Sequence, residues 1–352
     1  MCLVTFAVGE HSRYPFVLVA NRDERYERAS AGLHFWDDQP DLLAGRDLEH
    51  GGTWLGLTRA GRFATLTNHP FTDWQPHGAV SRGNLVSDFL NGEMSAEEYL
   101  DVLRGSRERY EGYHLIFGSV VGEAAGSGAK ADETGAELAG VGAVTGVRAE
   151  AASVGQGQSK GKNQDQNQGG LWVYSNVEDR VERYDRGLHS VGNTYDDLTM
   201  HKQTRSCAML AGYLGLATSF GVIGDDAAHA QATETLKELA SLTTNTREDL
   251  DLNPDELLAF FQDRVPASNL TVIPDQLPLE IARKNSSIFI QGDYFGTVGS
   301  TVILVDHDGW VHVKEVRYNQ ESIIEISEKQ FKLGPSAQSL RPHGQRTNEV
   351  TE

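Results

Sequence analysis

Cysteine is nearly missing from this chain of 352 residues, which has only Cys2 and Cys207. If either thiol is used chemically, the other has no partner, so a disulfide scaffold is excluded. Positive charge is scarce too. Lys and Arg number 31 against 50 Asp and Glu, a formal net charge of −19. That balance argues against nucleic acid and anionic membrane surfaces as partners, because both need a cationic face. No apolar run approaches the roughly 18 residues of a membrane span. The first apolar run lacks a basic leader and stops at Gly9, so no secretory signal is expected and the expected location is the cytoplasm. The 12 His include no His-Glu-x-x-His pattern, and no Cys pair offers a thiolate site, so no metal centre is expected. His34, His50, His69 and His77 cluster in sequence, as loop histidines do. Gly45-Arg46-Asp47 and Gly51-Gly52-Thr53 lack the spacing and the Lys of a phosphate loop.

What is present starts at the second residue. Cys2 is small enough to permit removal of Met1. Its thiol and a free α-amine would then belong to one residue. An α-amine titrates near about 7.7–8.0, so at neutral pH part of it is an available base. An N-terminal nucleophile served by its own amine is one established way to activate a weak side chain. Leu3 to Val8 and Phe16 to Ala20 read as two buried strands joined by the turn-like segment Gly9 to Pro15, a hairpin. A polar cluster, Asn21-Arg22-Asp23-Glu24-Arg25, follows the second strand. In a hairpin this cluster returns beside Cys2. A nearby guanidinium favours a thiolate, and a carboxylate would orient the amine. The alternative is a solvated loop of charges.

Further along, Trp54 to Thr58 and Arg62 to Thr67 flank a turn and read as a second hairpin ending at Asn68. A helix is expected over 81–90. Ser95 with Glu98 three residues on is a capping box opening a helix through Leu103. His114 to Val121 and Leu171 to Asn176 read as strands. Between them, residues 122–170 hold no aromatic, many Gly and a Gln/Asn/Lys run. Such a stretch buries too little apolar surface to offset its ordering entropy, so a disordered insertion is expected. Helices are expected over 227–241 and 254–264, the second started by Asn253 and Pro254. Thr301 to Val305, the turn Asp308-Gly309 and Val311 to Val313 form another hairpin signal. From Leu333 onward Pro, Gly, Gln and Arg dominate, and 335–352 is expected to be a flexible tail. Strands, then helices, then strands give an α+β class. Asn68 and Asn176 both end strands. Each is a candidate to steady an oxyanion, or else a plain turn residue.

Met1-Cys2, Asn21-Arg22-Asp23-Glu24 and Gly52-Thr53-Trp54-Leu55-Gly56 together resemble the NRDE family, that of transport and Golgi organisation protein 2. Leu66-Thr67-Asn68, Ser81-Arg82-Gly83, Tyr174-Ser175-Asn176, Gly187-Leu188-His189 and Tyr294-Phe295-Gly296-Thr297 agree with it. The family is similar to N-terminal nucleophile hydrolases of the bile-salt hydrolase and penicillin V acylase type. The resemblance implies one domain over 1–334, folded as a four-layer αββα sandwich. It implies a site of Cys2, Arg22, Asp23, Glu24, Asn68 and Asn176, with Asn21, Trp54, His69 and His189 contacting substrate. The acylases carry Arg-x-x-Asp where this chain has Asn-Arg-Asp-Glu, so either Asp23 or Glu24 stands for their Asp.

Fold does not fix function, and three classes stay open. The first is a cysteine amidohydrolase or acyltransferase acting on a small amide. The second is a carrier of haem or an acyl thioester without turnover, in keeping with the family's links to haem trafficking, lipid handling and the secretory pathway. The third is a scaffold acting through its acidic surface. No tightly held cofactor is expected, with haem the candidate ligand. The oligomeric state is not legible.

Overall fold

The computed structural model describes residues 2–69, 74, 80–120, 170–193, 201–216, 251–268 and 278–334. The described strands form two antiparallel sheets. One sheet contains β1 (Cys2–Val8), β2 (Phe16–Arg25), β10 (Gly187–Val191), β11 (Phe295–Val305), β12 (Trp310–Tyr318) and β13 (Ile323–Lys332), in the order β10-β1-β2-β11-β12-β13. The other is a meander in chain order. It runs through β3 (Ser30–Phe35), β4 (Leu42–Asp47), β5 (Leu55–Thr58), β6 (Arg62–Asn68), β7 (Tyr113–Ser119), β8 (Leu171–Ser175) and β9 (Arg180–Tyr184). The described α-helices are α1 (Gly83–Asn91), α2 (Ala96–Ser106), α3 (His201–Tyr213), α4 (Pro254–Phe260) and α5 (Leu279–Lys284). The class is α+β.

Side-chain alternation along the strands divides the core into three clusters. Val4, Phe6, Phe16 and Leu18 of the first sheet pack with Leu43, Leu57, Phe63 and Ile116 of the second. On the other face of β1 and β2, Leu3, Ala7, Val17 and Val19 pack with Leu210 and Tyr213 of α3 and Leu257 and Leu258 of α4. On the far side of the meander, Ala64, Leu66 and Leu115 meet Val86, Phe89 and Leu103 of α1 and α2. α2 begins with the capping box expected at Ser95 and Glu98, both hydrogen bonds being present. α4 begins at Asn253, whose side chain caps Asp255, with Pro254 in the first turn. It ends at Phe260, short of the expected 264.

The first hairpin forms as expected, with Cys2 opposite Arg22 and Val8 opposite Phe16. One expectation is corrected. Asn21 to Arg25 is not a loop after β2 but its last half, paired with β11, where Asp23 faces Thr297 and Asn21 faces Ser300, and at Asn21 and Arg22 with β1 as well. Polar composition argued for a loop. Backbone pairing on both sides and fixed partners for the side chains overrode it.

The expected helix over 227–241, the tail and all but the last residue of the expected insertion lie outside the described residues. The described ends of that insertion are joined, because Ser119 N donates to Gly170 O at 3.3 Å and Gly118 is register partner of Leu171. Closing a long loop costs only slightly more than closing a short one. Replacing residues 121–169 with a short Gly/Ser turn should therefore leave the melting temperature unchanged or slightly raised. A fall of about 5 °C or more, roughly 1 kcal/mol or above, would show that the segment packs on the core.

Candidate functional site

Cys2 is the first residue of β1, and its parity puts its side chain on the same face as Val4 and Phe6. Arg22, directly across the ladder, shares that face. Both are buried, and both border a cleft of 710 Å³ where the two sheets meet α1. The Arg22 guanidinium lies over Trp54, its Cζ 4.0 Å from the ring centroid, and donates from Nη1 to Ser30 Oγ at 3.2 Å. Burial lowers its pKa, and the charges of Cys2, Glu24, Asp47 and Glu315 oppose that shift. Glu24 borders the cleft on the same face of β2.

Asp23 is on the other face of β2 and is 2% exposed. Its Oδ1 accepts from Thr297 Oγ1 at 2.7 Å. Burial raises its pKa, while Lys202 and the Thr297 hydrogen bond pull it down. It too borders the cleft. Asp23 and Glu24 therefore both reach the site, from opposite faces of one strand. Asn68, at the end of β6, forms part of the wall.

Four expected site residues have partners within the protein. Asn21 is 1% exposed. Its Nδ2 donates to the carbonyls of Phe261 and Ile288, each at 2.9 Å, and its Oδ1 accepts from Ser300 Oγ at 2.7 Å. It clasps the segments after α4 and α5 to the sheet. Asn176 has no exposed surface. Its amide donates to the carbonyls of Arg107, Tyr110 and Glu111 and accepts from Tyr113 N at 2.7 Å, which fixes the entry to β7. His69 pairs with Glu178 at 3.2 Å and lies 5.0 Å from the ring of His114. His114 itself is pushed down to about 4 by burial and the neighbouring His69. His189 stacks on Tyr184 at 4.1 Å. Its register partner is Phe6, four residues, or about 13 Å, along β1 from Cys2. Of the clustered histidines, His50 borders the cleft, and His77 lies outside the described residues.

Sequence reasoning missed two cations. Arg82, noted there only within a family motif, borders the cleft beside Glu111, with Nη2 to Oε2 at 3.2 Å. Burial lowers its pKa, against the pull of Glu111, Cys2 and Glu24. Lys202 is 5% exposed in α3 and donates to Asn193 Oδ1 at 2.9 Å. Lysine is almost never fully buried unless it has a partner, so no pattern in the sequence announces it. Among the described residues no group of His, Cys, Asp and Glu is arranged to hold a metal ion. No described helix is long and apolar enough to cross a membrane.

The family model for Transport and Golgi organisation 2 matches residues 1–145 and 157–320. The chain belongs to the Transport and Golgi organisation 2 family, in agreement with its Asn-Arg-Asp-Glu tetrad. It is 38% identical over 125 residues to the human Transport and Golgi organization protein 2 homolog, a stretch covering 33% of this chain and 44% of that one. It is 29% identical over 131 residues to Transport and Golgi organization protein 2 of Drosophila melanogaster, covering 33% and 45%. The matched stretch thus spans less than half of each curated relative. Among solved structures, a mutant conjugated bile acid hydrolase from Clostridium perfringens aligns at a TM-score of 0.40 and 10% identity, over 96% of this chain and 98% of that one.

The clasp makes its own forecast. Asn21→Ala strands two buried carbonyls and the Ser300 hydroxyl, and should cost about 3 kcal/mol in chemical denaturation. A substitution that leaves stability within about 0.5 kcal/mol would return Asn21 to the list of ligand contacts.

Proposed function

We propose that this protein is an N-terminal cysteine amidohydrolase or acyltransferase acting on a small amide, built as a single αββα domain. One observation carries the reading: Cys2 and Arg22 form a cross-strand pair that opens into a 710 Å³ cleft. The layered sandwich is supported by the three apolar clusters, one shared by the two sheets and one on the outer side of each. Cys2 and Cys207 are not joined as a disulfide, which suits a reducing compartment such as the cytoplasm.

In this reading Met1 is removed, and Cys2 Sγ attacks the amide carbonyl. The α-amine takes the thiol proton and passes it to the leaving nitrogen. Water, or an acceptor amine, then releases the acyl group from sulfur. Arg22 supports the thiolate or a substrate carboxylate. Asn68 is the one expected oxyanion residue that borders the cleft. Asp23 or Glu24 orients the amine. Trp54 gives the cleft an aromatic wall while holding Arg22 in place. The second reading keeps the cleft and drops the turnover: a carrier of haem or an acyl thioester, for which the apolar lining by Trp54, Leu66 and Val80 is the favouring observation.

Intact mass comes first, because retained Met1 blocks the amine and ends the hydrolase reading. Wild type and Cys2→Ser are then compared in parallel for hydrolysis of a panel of small acyl amides and for binding of haem and of an acyl thioester. A hydroxyl is a far weaker nucleophile than a thiolate at neutral pH, so Cys2→Ser should lose hydrolysis by at least about a hundredfold. No hydrolysis by either protein, with equal ligand binding by both, makes the carrier the correct reading. Arg22→Ala should slow alkylation of Cys2 by iodoacetamide, since it removes the cross-strand positive charge on that face.

A further inference from the structure

Residues just after α4, α5 itself and the stretch that follows it line a second cavity, 330 Å³ in volume, which shares no lining residue with the Cys2 cleft. Its wall sets Arg264, Arg283 and Lys284 against one acid, Glu280. Three cations less one carboxylate leave a local charge of +2, in a chain whose formal net charge is −19. Glu280, Arg283 and Lys284 stand at i, i+3 and i+4 of α5 and so share one face. Cations in a last turn suit the carbonyl end of a helix. That accounts for Arg283 and Lys284 but not for Arg264, which reaches the same cavity from the stretch after α4.

Among the described residues no carboxylate forms an ion pair with Arg264, Arg283 or Lys284. Asp263, next to Arg264 in sequence, is already used. Its Oδ2 accepts from Arg205 Nε at 2.7 Å and its Oδ1 from Val265 N at 2.7 Å. Arg283 is held by neutral groups, Nε donating to Ala267 O at 3.2 Å and Nη2 to Ser268 O at 3.5 Å. Arg264 lies over the ring of Phe289, its Cζ 5.1 Å from the centroid. Phe289 is buried and fixed on both sides of its peptide. Its N donates to Asp263 O at 2.7 Å, and its O accepts from Ser287 Oγ at 2.8 Å. The cavity therefore has a fixed aromatic floor and cations whose charge is not cancelled.

We infer that this cavity binds a phosphate monoester group carried on a small organic body. A monoester carries about −1.5 to −2 charges at neutral pH and three strong acceptor oxygens. That matches both the net charge of the wall and the number of its cations. Arginine presents its donors as a planar fork suited to phosphate, and lysine adds a point charge. The volume lies at the small end of ligand sites, which run from about 300 to 1,000 Å³. It has room for the phosphate and a ring or short chain. Phe289 and Pro266 give that organic part an apolar contact. The inference stands apart from the Cys2 reading, because no residue is common to the two sites.

The test is titration calorimetry of the full-length protein with three probes: phenyl phosphate, inorganic phosphate and benzenesulfonate. Phenyl phosphate should bind at one site. It should bind roughly tenfold tighter than benzenesulfonate, which has the ring but a single charge, and tighter than inorganic phosphate, which lacks the ring. Arg264→Gln and Lys284→Gln, both at exposed positions, should each weaken phenyl phosphate binding roughly five- to tenfold, and Glu280→Gln should tighten it about threefold by removing the one acid. Lys329→Gln removes an exposed cation from β13 and should change nothing, as should Cys2→Ser. Losses at the cations with a gain at Glu280 cannot come from misfolding, and a melting curve of each variant checks the fold directly. Sedimentation with phosphatidylcholine vesicles, with and without phosphatidate, then separates the sources. Capture that needs phosphatidate and fails in Arg264→Gln places the ester on a lipid; phenyl phosphate binding without capture places it on a soluble compound. Both uphold the site. Absence of binding, binding no tighter than that of benzenesulfonate or inorganic phosphate, or equal effects of Arg264→Gln and Lys329→Gln would overturn it.

Discussion

A strand hydrogen-bonded on both sides has no freedom in where its side chains point, and β2 is such a strand. From Cys2 opposite Arg22 on one flank to Thr297 opposite Asp23 on the other, its register is held by β1 and β11 together. A slip of one residue would exchange the two faces. It would send Arg22 and Glu24 toward the helices and take Asn21 off its carbonyl partners, and it would turn Val17 and Val19 out of their cluster. The apolar half of the strand thus locks the polar half. The same residues that build the core put Arg22 and Cys2 on one face.

Placing four polar residues in the middle of a sheet requires a partner for each. Asn21 has two carbonyls and a hydroxyl. Arg22 has an indole face, worth about 1–2 kcal/mol when partly desolvated. Asp23 has Thr297 and the field of Lys202. Glu24 sits at the rim, where its Oε1 accepts from Arg25 N at 2.9 Å. Buried polar groups are costly without partners, and these draw theirs from the helix side, the second sheet and β11. That breadth explains why the site sits where the layers converge.

Much of this was legible beforehand. The first hairpin, the capping box at Ser95, the start at Asn253-Pro254 and the turn at Asp308-Gly309 each follow from local chemistry, and all are observed. The joint position of Cys2 and Arg22 followed from hairpin geometry alone. What escaped has a common cause: local polarity does not report burial. Asn21 to Glu24 looked like a loop because four polar residues in a row rarely continue a central strand. α3 was missed because it opens with His201, Lys202, Gln203, Thr204, Arg205 and Ser206, of which Lys202, Gln203 and Ser206 are buried against other polar groups. β13 was missed for the opposite reason. It is an edge strand whose Ile323, Ile324 and Ile326 are exposed and whose one buried side chain is Phe331. Asn176 and Asn68 read alike in sequence, yet one is consumed by the backbone of the β7 entry and the other faces the cleft. Only the third dimension separates them.

The position of Cys2 also limits what the cleft can be. Its side chain is fixed by β1, which is itself held between β10 and β2, and its backbone nitrogen lies at the point where the strand begins. A binding cleft alone would not need a thiol at that point, since Trp54, Leu66 and the two arginines already supply an apolar wall and cations for an anionic group. A nucleophile, by contrast, needs a rigid base, a nearby cation and an amine within reach of its own sulfur. A strand-initial cysteine opposite an arginine provides the first two directly, and the third on loss of a single residue. That asymmetry, and not the size of the cleft, is the reason the catalytic reading is placed ahead of the carrier.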